Sequence, residues 1–175
     1  MKIDLTSLKE GSTEYWEEQD AEGLELPQEE FTLLETLQAH YTLHKAGKNL
    51  KFNLEASYRL RLTCSRCLEP FEQSFTEKAL YIIQIGTEPW GEEKALTTEE
   101  VLMLFLPTTE LDTIPILRET VLLSIPMKPL CRPDCKGLCP VCGVNRNAET
   151  CNHEEEKVDA RWAKLLEIKK QLSKG

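Results

Sequence analysis

Six potential metal ligands lie close together in the last third of this 175-residue chain. They occupy the run CRPDCKGLCPVCGVNRNAETCNH and comprise Cys131, Cys135, Cys139, Cys142, Cys151 and His153. Within it, the Cys-Pro-Val-Cys-Gly segment at 139–143 has the form of a zinc knuckle, in which two thiolates bind one ion from a tight turn. The glycine lets the backbone fold back beneath the metal. This pattern indicates metal binding rather than a group of buried, inert thiols.

A second Cys-x-x-Cys pair, Cys64 and Cys67, lies upstream and on its own fits either a thiol redox centre or half of a metal site. The seven cysteines and His153 together make two sets of the four ligands that a closed structural zinc site requires. We therefore expect two zinc ions, each fully ligated and hence structural rather than catalytic. The first site would consist of Cys64, Cys67, Cys131 and Cys135, and the second of Cys139, Cys142, Cys151 and His153.

Two other divisions of the ligands remain open from the sequence. A single site could use Cys131, Cys135, Cys139 and Cys142, or one thiolate could bridge two ions. Zinc is favoured over an iron–sulfur cluster because a histidine enters the set and because no run of three Cys-x-x-Cys steps is present. Iron is still compatible with the pattern.

The composition is that of a globular protein, with 41% hydrophobic and 29% charged residues. No apolar stretch approaches the roughly 18 residues that span a bilayer, and the start MKIDLTSLKEGSTEYWEEQD has no hydrophobic signal core. We therefore expect a cytoplasmic protein with no membrane contact. In that reducing compartment, closely spaced cysteines bind metal more often than they form disulfides.

The formal net charge of −9 argues against a broad electrostatic grip on nucleic acid, because neutralising phosphates requires clustered Lys and Arg. Any RNA contact must then be local or supported by a basic partner. The candidate residues are Arg59, Arg61 and Arg66 around the upstream pair, and Arg132, Lys136 and Arg146 in the Cys-rich run. A solvated strand face is the alternative explanation for the first three.

Hydrophobic periodicity predicts the elements that must position these ligands. Strict alternation over 37–44 and 50–62, separated by a turn at 45–49, predicts a long antiparallel hairpin. A third strand is expected over 71–85, so that Cys64 and Cys67 lie in the turn between two strands. Near the start, a brief strand over 3–5 is expected to lead into an exposed connection that reaches residue 30.

Three helices are expected in the second half of the chain. The acidic 98–100 segment precedes a short helix over 101–106, and Asp112 or Thr113 begins a second helix that ends before Pro126. Asp159 caps a C-terminal amphipathic helix that extends to residue 172. The predicted fold class is α+β, with an antiparallel β-rich body and two short helices over 1–126. Residues 127–175 form the zinc segment and final helix, integrated into the same domain.

Three groups of residues together carry a family resemblance. They are Cys64-Ser65-Arg66-Cys67-Leu68-Glu69, then Arg118-Glu119 before Leu123-Ser124-Ile125-Pro126-Met127, then CRPDCKGLCPVCGVNRN with a late cysteine. The chain resembles the YceD family over about residues 60–161. Some members of that family keep the upstream pair without the knuckle, which favours two sites. This chain differs in having His153 where a final Cys is usual, and Asp159-Ala160-Arg161 in place of Asp-Pro-Arg.

The resemblance implies a bacterial or plastid-type protein associated with accumulation of large-subunit ribosomal RNA. We therefore expect a non-enzymatic ribosome-assembly factor whose partner is a ribosomal protein, large-subunit ribosomal RNA, or both. The alternatives are a thiol redox protein that uses Cys64 and Cys67, or a zinc-stabilised protein-interaction module without RNA contact. The sequence has no Gly-rich phosphate loop or nucleophile elbow, so it predicts neither a catalytic residue nor a small-molecule substrate.

Overall fold

The computed structural model describes residues 1–27, 29–47, 49–86, 97 and 101–153. Eight strands and one complete helix are found among them. The strands are β1 (Lys2–Asp4), β2 (Gly11–Gln19), β3 (Thr32–Leu33), β4 (Leu37–Ala46), β5 (Asn49–Thr63), β6 (Pro70–Ile85), β7 (Met103–Leu106) and β8 (Glu110–Asp112), and the helix is α1 (Thr113–Ser124). The C-terminal helix expected from Asp159 lies outside the described residues.

The main sheet has the strand order β2-β4-β5-β6-β7, and β3 pairs with β5 beyond the end of β4. The predicted β4–β5 hairpin is confirmed, with Gln38 opposite Ser57 and Ala46 opposite Asn49. β5 and β6 form a longer antiparallel ladder, from Leu50–Ile83 to Thr63–Pro70. Along β5, alternate side chains are buried because one face of the sheet covers the core and the other faces solvent.

Two predictions for the body are wrong. Met103–Leu106 form strand β7, parallel to β6, and not a helix, so the sheet is mixed rather than purely antiparallel. A run of four apolar residues is too short for its periodicity to distinguish the two structures, and pairing with β6 satisfies its backbone. The segment read as an exposed connection also contains β2, which pairs with β4 along its whole length.

The core lies between the inner face of the main sheet and α1. Tyr41, Phe52 and Leu54 are almost fully buried on the sheet, and Leu117 and Val121 face them from the helix. The predicted helix start is confirmed, because the side chain of Asp112 accepts a hydrogen bond of 3.0 Å from the amide of Ile114. β1 and β8 form a separate two-stranded sheet just before this helix.

A buried carboxylate joins β2 to this helix. The carboxylate of Glu17 accepts hydrogen bonds from the hydroxyls of Tyr41 (2.6 Å) and Thr113 (2.7 Å), from the amide of Gln19 (2.7 Å), and from the Met1 ammonium. Burial opposes ionisation of Glu17, but these donors together lower its pKa below the ordinary value. β2 is therefore fastened to the core by polar contacts. None of the helices in the described residues has the length and apolar character needed to cross a bilayer.

Candidate metal centres

The eight potential ligands form two separate groups of four. Cys64, Cys67, Cys131 and Cys135 form one group, which we call the hairpin site, and Cys139, Cys142, Cys151 and His153 form the other, the tail site. Within each group, one ligand atom of every residue lies within 4.8 Å of the others. This is the grouping expected from the ligand count. Cys131 and Cys135 lie beside Cys64 and Cys67 and not beside the 139–143 knuckle. This differs from the alternative in which Cys131, Cys135, Cys139 and Cys142 form a single site.

The spacing of the sulfur atoms matches a tetrahedral metal site. The Cys64 and Cys135 sulfurs are 3.8 Å apart, as are those of Cys67 and Cys131. Four sulfurs bound at about 2.3 Å to a tetrahedral zinc ion would be about 3.8 Å from one another. A disulfide would require about 2.05 Å, and all seven cysteines are free thiols. The side chains present therefore fit a four-coordinate ion.

The hairpin site begins at the end of the long β5–β6 ladder. After Thr63 the chain makes a knuckle in which the amide of Cys64 donates to the carbonyl of Glu69 (3.0 Å) and the amide of Leu68 donates to the carbonyl of Cys64 (2.9 Å). Leu68 adopts a left-handed conformation with φ of 60°. The two thiols are thereby held on a rigid turn, and both are buried.

The tail reaches the hairpin site through main-chain contacts. The amide of Ser65 donates to the carbonyl of Pro129 (2.8 Å), and the Arg66 guanidinium donates to the carbonyls of Pro133 (3.3 Å) and Cys135 (2.9 Å). The amide of Leu138 donates back to the carbonyl of Arg66 (3.0 Å). The hairpin and the 129–138 segment thus meet at contacts that do not themselves involve a metal ion.

The tail site is formed by a second knuckle and the residues that follow it. The amide of Gly143 donates to the carbonyl of Cys139 (2.8 Å), and the amide of Cys139 donates to the carbonyl of Val144 (2.8 Å). Gly143 has a φ of 74°, which a glycine adopts without strain. The Cys139 sulfur lies 3.8 Å from Nδ1 of His153. This site is more open than the first, because Cys142 and His153 are exposed.

Hydrogen-bond donors lower the pKa of Cys64 and Cys135 in the hairpin site and of Cys139 in the tail site. Burial acts to raise the pKa of Cys64, but amide donors from Cys131, Cys67 and Arg66 lower it to about 6. Amide donors from Cys142 and Val141 likewise lower the pKa of Cys139 to about 6. Cys131 is the opposite case, because burial and the neighbouring thiols raise its pKa to about 12.

Within each group the pKa of one or more sulfurs is lowered and that of another is raised. A bound cation would displace the remaining protons, since thiolates are the metal-binding form and four adjacent thiolates repel one another without it. Binding at either site is expected to release protons.

The six candidate RNA-binding residues fall into two places. Arg59 and Arg61 lie on the outer face of β5, and each pairs with an acidic residue: Arg59 with Glu35, and Arg61 with Glu72 at 3.0 Å. The other four lie near the candidate metal centres. Arg66 donates to main-chain carbonyls as described above, and Arg132 donates to Asn147 (2.7 Å). In the sequence, Lys136 comes directly after Cys135, and Arg146 comes shortly after the second knuckle. The structure does not gather the six into a single patch.

Two residues that the motifs did not reveal also stand out. Asn147 lies between the two centres and donates a hydrogen bond of 3.3 Å to the Cys135 sulfur. Trp16 is 67% exposed on the outer face of β2, and its ring stacks on His40 with centroids 4.9 Å apart. The ligand spacing could not point to Asn147, because this residue is not a ligand and reaches Cys135 only in the folded chain. Trp16 was missed together with β2.

Comparison with known proteins places this arrangement in a family. A stretch of 109 residues is 39% identical to a protein of Mycobacterium bovis described as uncharacterized, covering 60% of this chain and 48% of that protein. A second relative, from Mycobacterium leprae and also described as uncharacterized, is 28% identical over 106 residues, which cover 61% of this chain and 48% of the relative.

A third relative is a chloroplastic protein of Arabidopsis thaliana, described as a large ribosomal RNA subunit accumulation protein YCED homolog. It is 32% identical over 63 residues, covering 36% of this chain and 20% of that protein. The chain thus spans about half the length of the mycobacterial relatives it matches. No solved structure matches it significantly. The family described as large ribosomal RNA subunit accumulation protein YceD matches residues 52–169, a stretch that contains both candidate metal centres, and this chain therefore belongs to the YceD family.

Proposed function

We propose that this protein is a non-enzymatic, zinc-binding ribosome-assembly factor that supports the accumulation of large-subunit ribosomal RNA. The observation that carries the proposal is the pair of four-ligand groups within the stretch that matches the family. Four protein ligands leave no position for a substrate, so zinc would act here as a structural ion. The ion in the hairpin site would fasten the tail to the sheet and give the protein a fixed recognition surface.

The metal content is tested by elemental analysis of the purified chain together with its protein concentration. We expect two zinc ions per chain, and a Cys64→Ser/Cys67→Ser variant that retains one. Ser65→Ala is the matched control, because it changes the same knuckle while the main-chain bond from Ser65 to Pro129 is kept. One ion per wild-type chain, or iron in place of zinc, would contradict the proposal.

The cellular role is tested by depleting the protein and measuring the ratio of large- to small-subunit ribosomal RNA. We expect that ratio to fall on depletion, to be restored by the wild-type chain and Ser65→Ala, and not to be restored by Cys64→Ser/Cys67→Ser. An unchanged ratio after depletion would remove the proposed role, whatever the metal content.

The partner is a ribosomal protein, ribosomal RNA, or both. Basic ribosomal proteins complement the net charge of −9. An RNA contact is supported on the outer sheet face, where exposed Trp16 offers a ring on which a base can stack. Arg59 and Arg61 lie on the same face, and a phosphate would compete there with Glu35 and Glu72. Localised contact of this kind does not require a basic protein overall.

Replacing all six basic candidates with neutral residues is expected to abolish RNA retention. The structure suggests a sharper version. Arg59→Gln/Arg61→Gln removes the sheet charges without touching the metal centres, and Glu35→Gln/Glu72→Gln removes their acidic partners instead. The first pair should weaken retention of single-stranded RNA and the second should strengthen it. Equal retention by both pairs and by the wild type would show that this face does not bind RNA.

A thiol redox function for Cys64 and Cys67 has one observation in its favour, the pKa of about 6 at Cys64. Against it, Cys64 is fully buried and Cys67 nearly so, which denies a thiol substrate access to either sulfur. Alkylation of the metal-loaded protein separates the two functions. Labelling of both cysteines only after a chelator has removed zinc indicates ligands, and rapid labelling with zinc retained indicates redox chemistry.

A further inference from the structure

The side chain of Asn147 connects the two candidate metal centres. Its amide nitrogen donates to the sulfur of Cys135, which is a ligand of the hairpin site. Its oxygen accepts from the main-chain amide of Lys136 (2.9 Å) and from the guanidinium of Arg132 (2.7 Å). These groups lie directly after Cys135 and Cys131, so this one side chain holds the segment that supplies half of the hairpin site.

Asn147 belongs to the loop that the tail-site ligands enclose. The residue lies between Cys142 and Cys151, so both ends of its loop are closed by tail-site ligands. Within the loop, Asn145 orients Asn147 by accepting hydrogen bonds from its main-chain amide (3.0 Å) and from its side-chain amide (2.8 Å). A filled tail site would therefore fix both ends of the loop from which the Asn147 side chain reaches Cys135.

The loop is also attached to the hairpin. The amide of Arg146 donates to the carbonyl of Gly137 (2.9 Å), and Leu138 forms an isolated bridge with Asn145. Leu138 in turn donates its amide to Arg66, between the two cysteines of the hairpin knuckle. The loop thus contacts the 135–138 segment directly and is connected to the first knuckle through Leu138.

We propose that Asn147 is a positioning residue that couples the two metal centres, so that filling the tail site raises the affinity of the hairpin site. This rests on the proposed metal binding. Hydrogen bonds from outer-shell residues to ligands contribute about 10- to 100-fold to metal affinity. Asn147 makes such a bond to Cys135 from the loop that the tail-site ligands enclose. Because coupling between two binding equilibria is reciprocal, filling the hairpin site raises the affinity of the tail site equally.

The test uses the full chain titrated with Co²⁺ and with Zn²⁺. Co²⁺ reports the sites separately, because a site of four thiolates and a site of three thiolates and a histidine absorb differently. Competition with a chelator then gives each affinity. The variants are Asn147→Ala, Cys142→Ser and their combination. Asn152→Ala is the control, because it removes an exposed asparagine from the same segment.

We expect Asn147→Ala to lower the metal affinity of the hairpin site by about 10- to 100-fold although it removes no ligand. Cys142→Ser should lower the same affinity by a similar factor, and the combination should lower it no further, because both changes remove one coupling. Asn152→Ala should leave it unchanged. Losses that multiply in the double variant, or an unchanged hairpin-site affinity in Asn147→Ala, would overturn the proposal.

These outcomes are distinct from failure of the proposed function. If the wild-type chain does not bind two ions, the metal-binding function itself fails. If it binds two ions and Asn147→Ala binds them with wild-type affinities, only the coupling fails. Circular dichroism of each metal-loaded variant shows whether the sheet is intact, so that an affinity loss is not mistaken for unfolding.

Discussion

At Gly137 the tail passes close to the hairpin, and replacement of this glycine by alanine tests that contact. Gly137 has a φ of 72°, and a Cβ atom added there would lie 3.0 Å from the carbonyl oxygen of Arg66. Gly143 has a nearly identical φ of 74°, but a Cβ added there would meet no atom within 4 Å. The two glycines therefore share the backbone strain of an L-residue and differ in the steric contact.

The expected magnitudes follow from that difference. A left-handed alanine costs about 1–2 kcal/mol, which should be the whole effect of Gly143→Ala. In Gly137→Ala, the 136–138 segment must also move away from Arg66, which weakens the hydrogen bond from Leu138 and adds about 1 kcal/mol. We therefore expect Gly137→Ala to destabilise the zinc-loaded protein by about 2–3 kcal/mol in denaturant titrations.

An asparagine series separates the two causes, because asparagine tolerates positive φ better than alanine. Gly143→Asn should be nearly neutral, whereas Gly137→Asn should remain destabilising through its contact with Arg66. Gly47→Ala is a further control, because Gly47 is left-handed and a Cβ atom there would meet no atom within 4 Å. Its loss of stability measures the cost of the left-handed backbone without a steric contact. If Gly137→Ala loses no more stability than Gly143→Ala, the close approach of tail and hairpin is not energetically important.

Three further predictions concern the body and the first knuckle. Glu17→Ala should destabilise the fold by about 3 kcal/mol, and Glu18→Ala, at an exposed position, by little. Because the pKa of Glu17 is lowered in the folded protein, its stabilisation is present above the unfolded-state pKa and is lost as pH falls through the folded-state pKa. Denaturation of the wild type and the variant at a series of pH values would show this loss. Leu68→Gly should raise the stability of the zinc-loaded protein by about 0.5–1 kcal/mol, since this 62% exposed side chain has a φ of 60°; a lower thermal midpoint would show instead that the leucine packs. Leu117→Ala should cost about 2–5 kcal/mol in chemical denaturation, and a loss below 1 kcal/mol would contradict its place in the core.

The sequence predicted those parts of the fold in which local pattern and tertiary structure agree. β4 and β5 alternate cleanly because one face of each packs on the core. β2 does not, since its inward residues include buried Glu17, whose partners Tyr41 and Thr113 come from distant parts of the chain. Hydropathy cannot mark a strand that is held by a buried carboxylate.

The same distinction applies to the metal centres. The ligands could be divided into two groups by counting, because a tetrahedral site needs four donors and thiol spacing is visible in the sequence. The contacts that organise these groups could not be predicted from the sequence, because Arg66, Gly137 and Asn147 act through main-chain carbonyls and a single sulfur. Such partners are defined only once the tail is folded against the hairpin.

The two centres should differ in what their loss does to the fold, because they close loops of different length. An ion in the hairpin site joins Cys67 to Cys131 and closes a loop of about 60 residues. A covalent cross-link closing a loop of that length would raise the free energy of the unfolded state by about 4 kcal/mol through lost chain entropy. The link from Cys142 to Cys151 in the tail site closes about 10 residues, worth about 3 kcal/mol on the same basis. The hairpin site therefore contributes more to holding the domain together, whereas the local tail site mainly shapes its own loop. Through the proposed coupling by Asn147, filling the tail site would in addition raise the metal affinity of the hairpin site, which fastens the tail to the sheet.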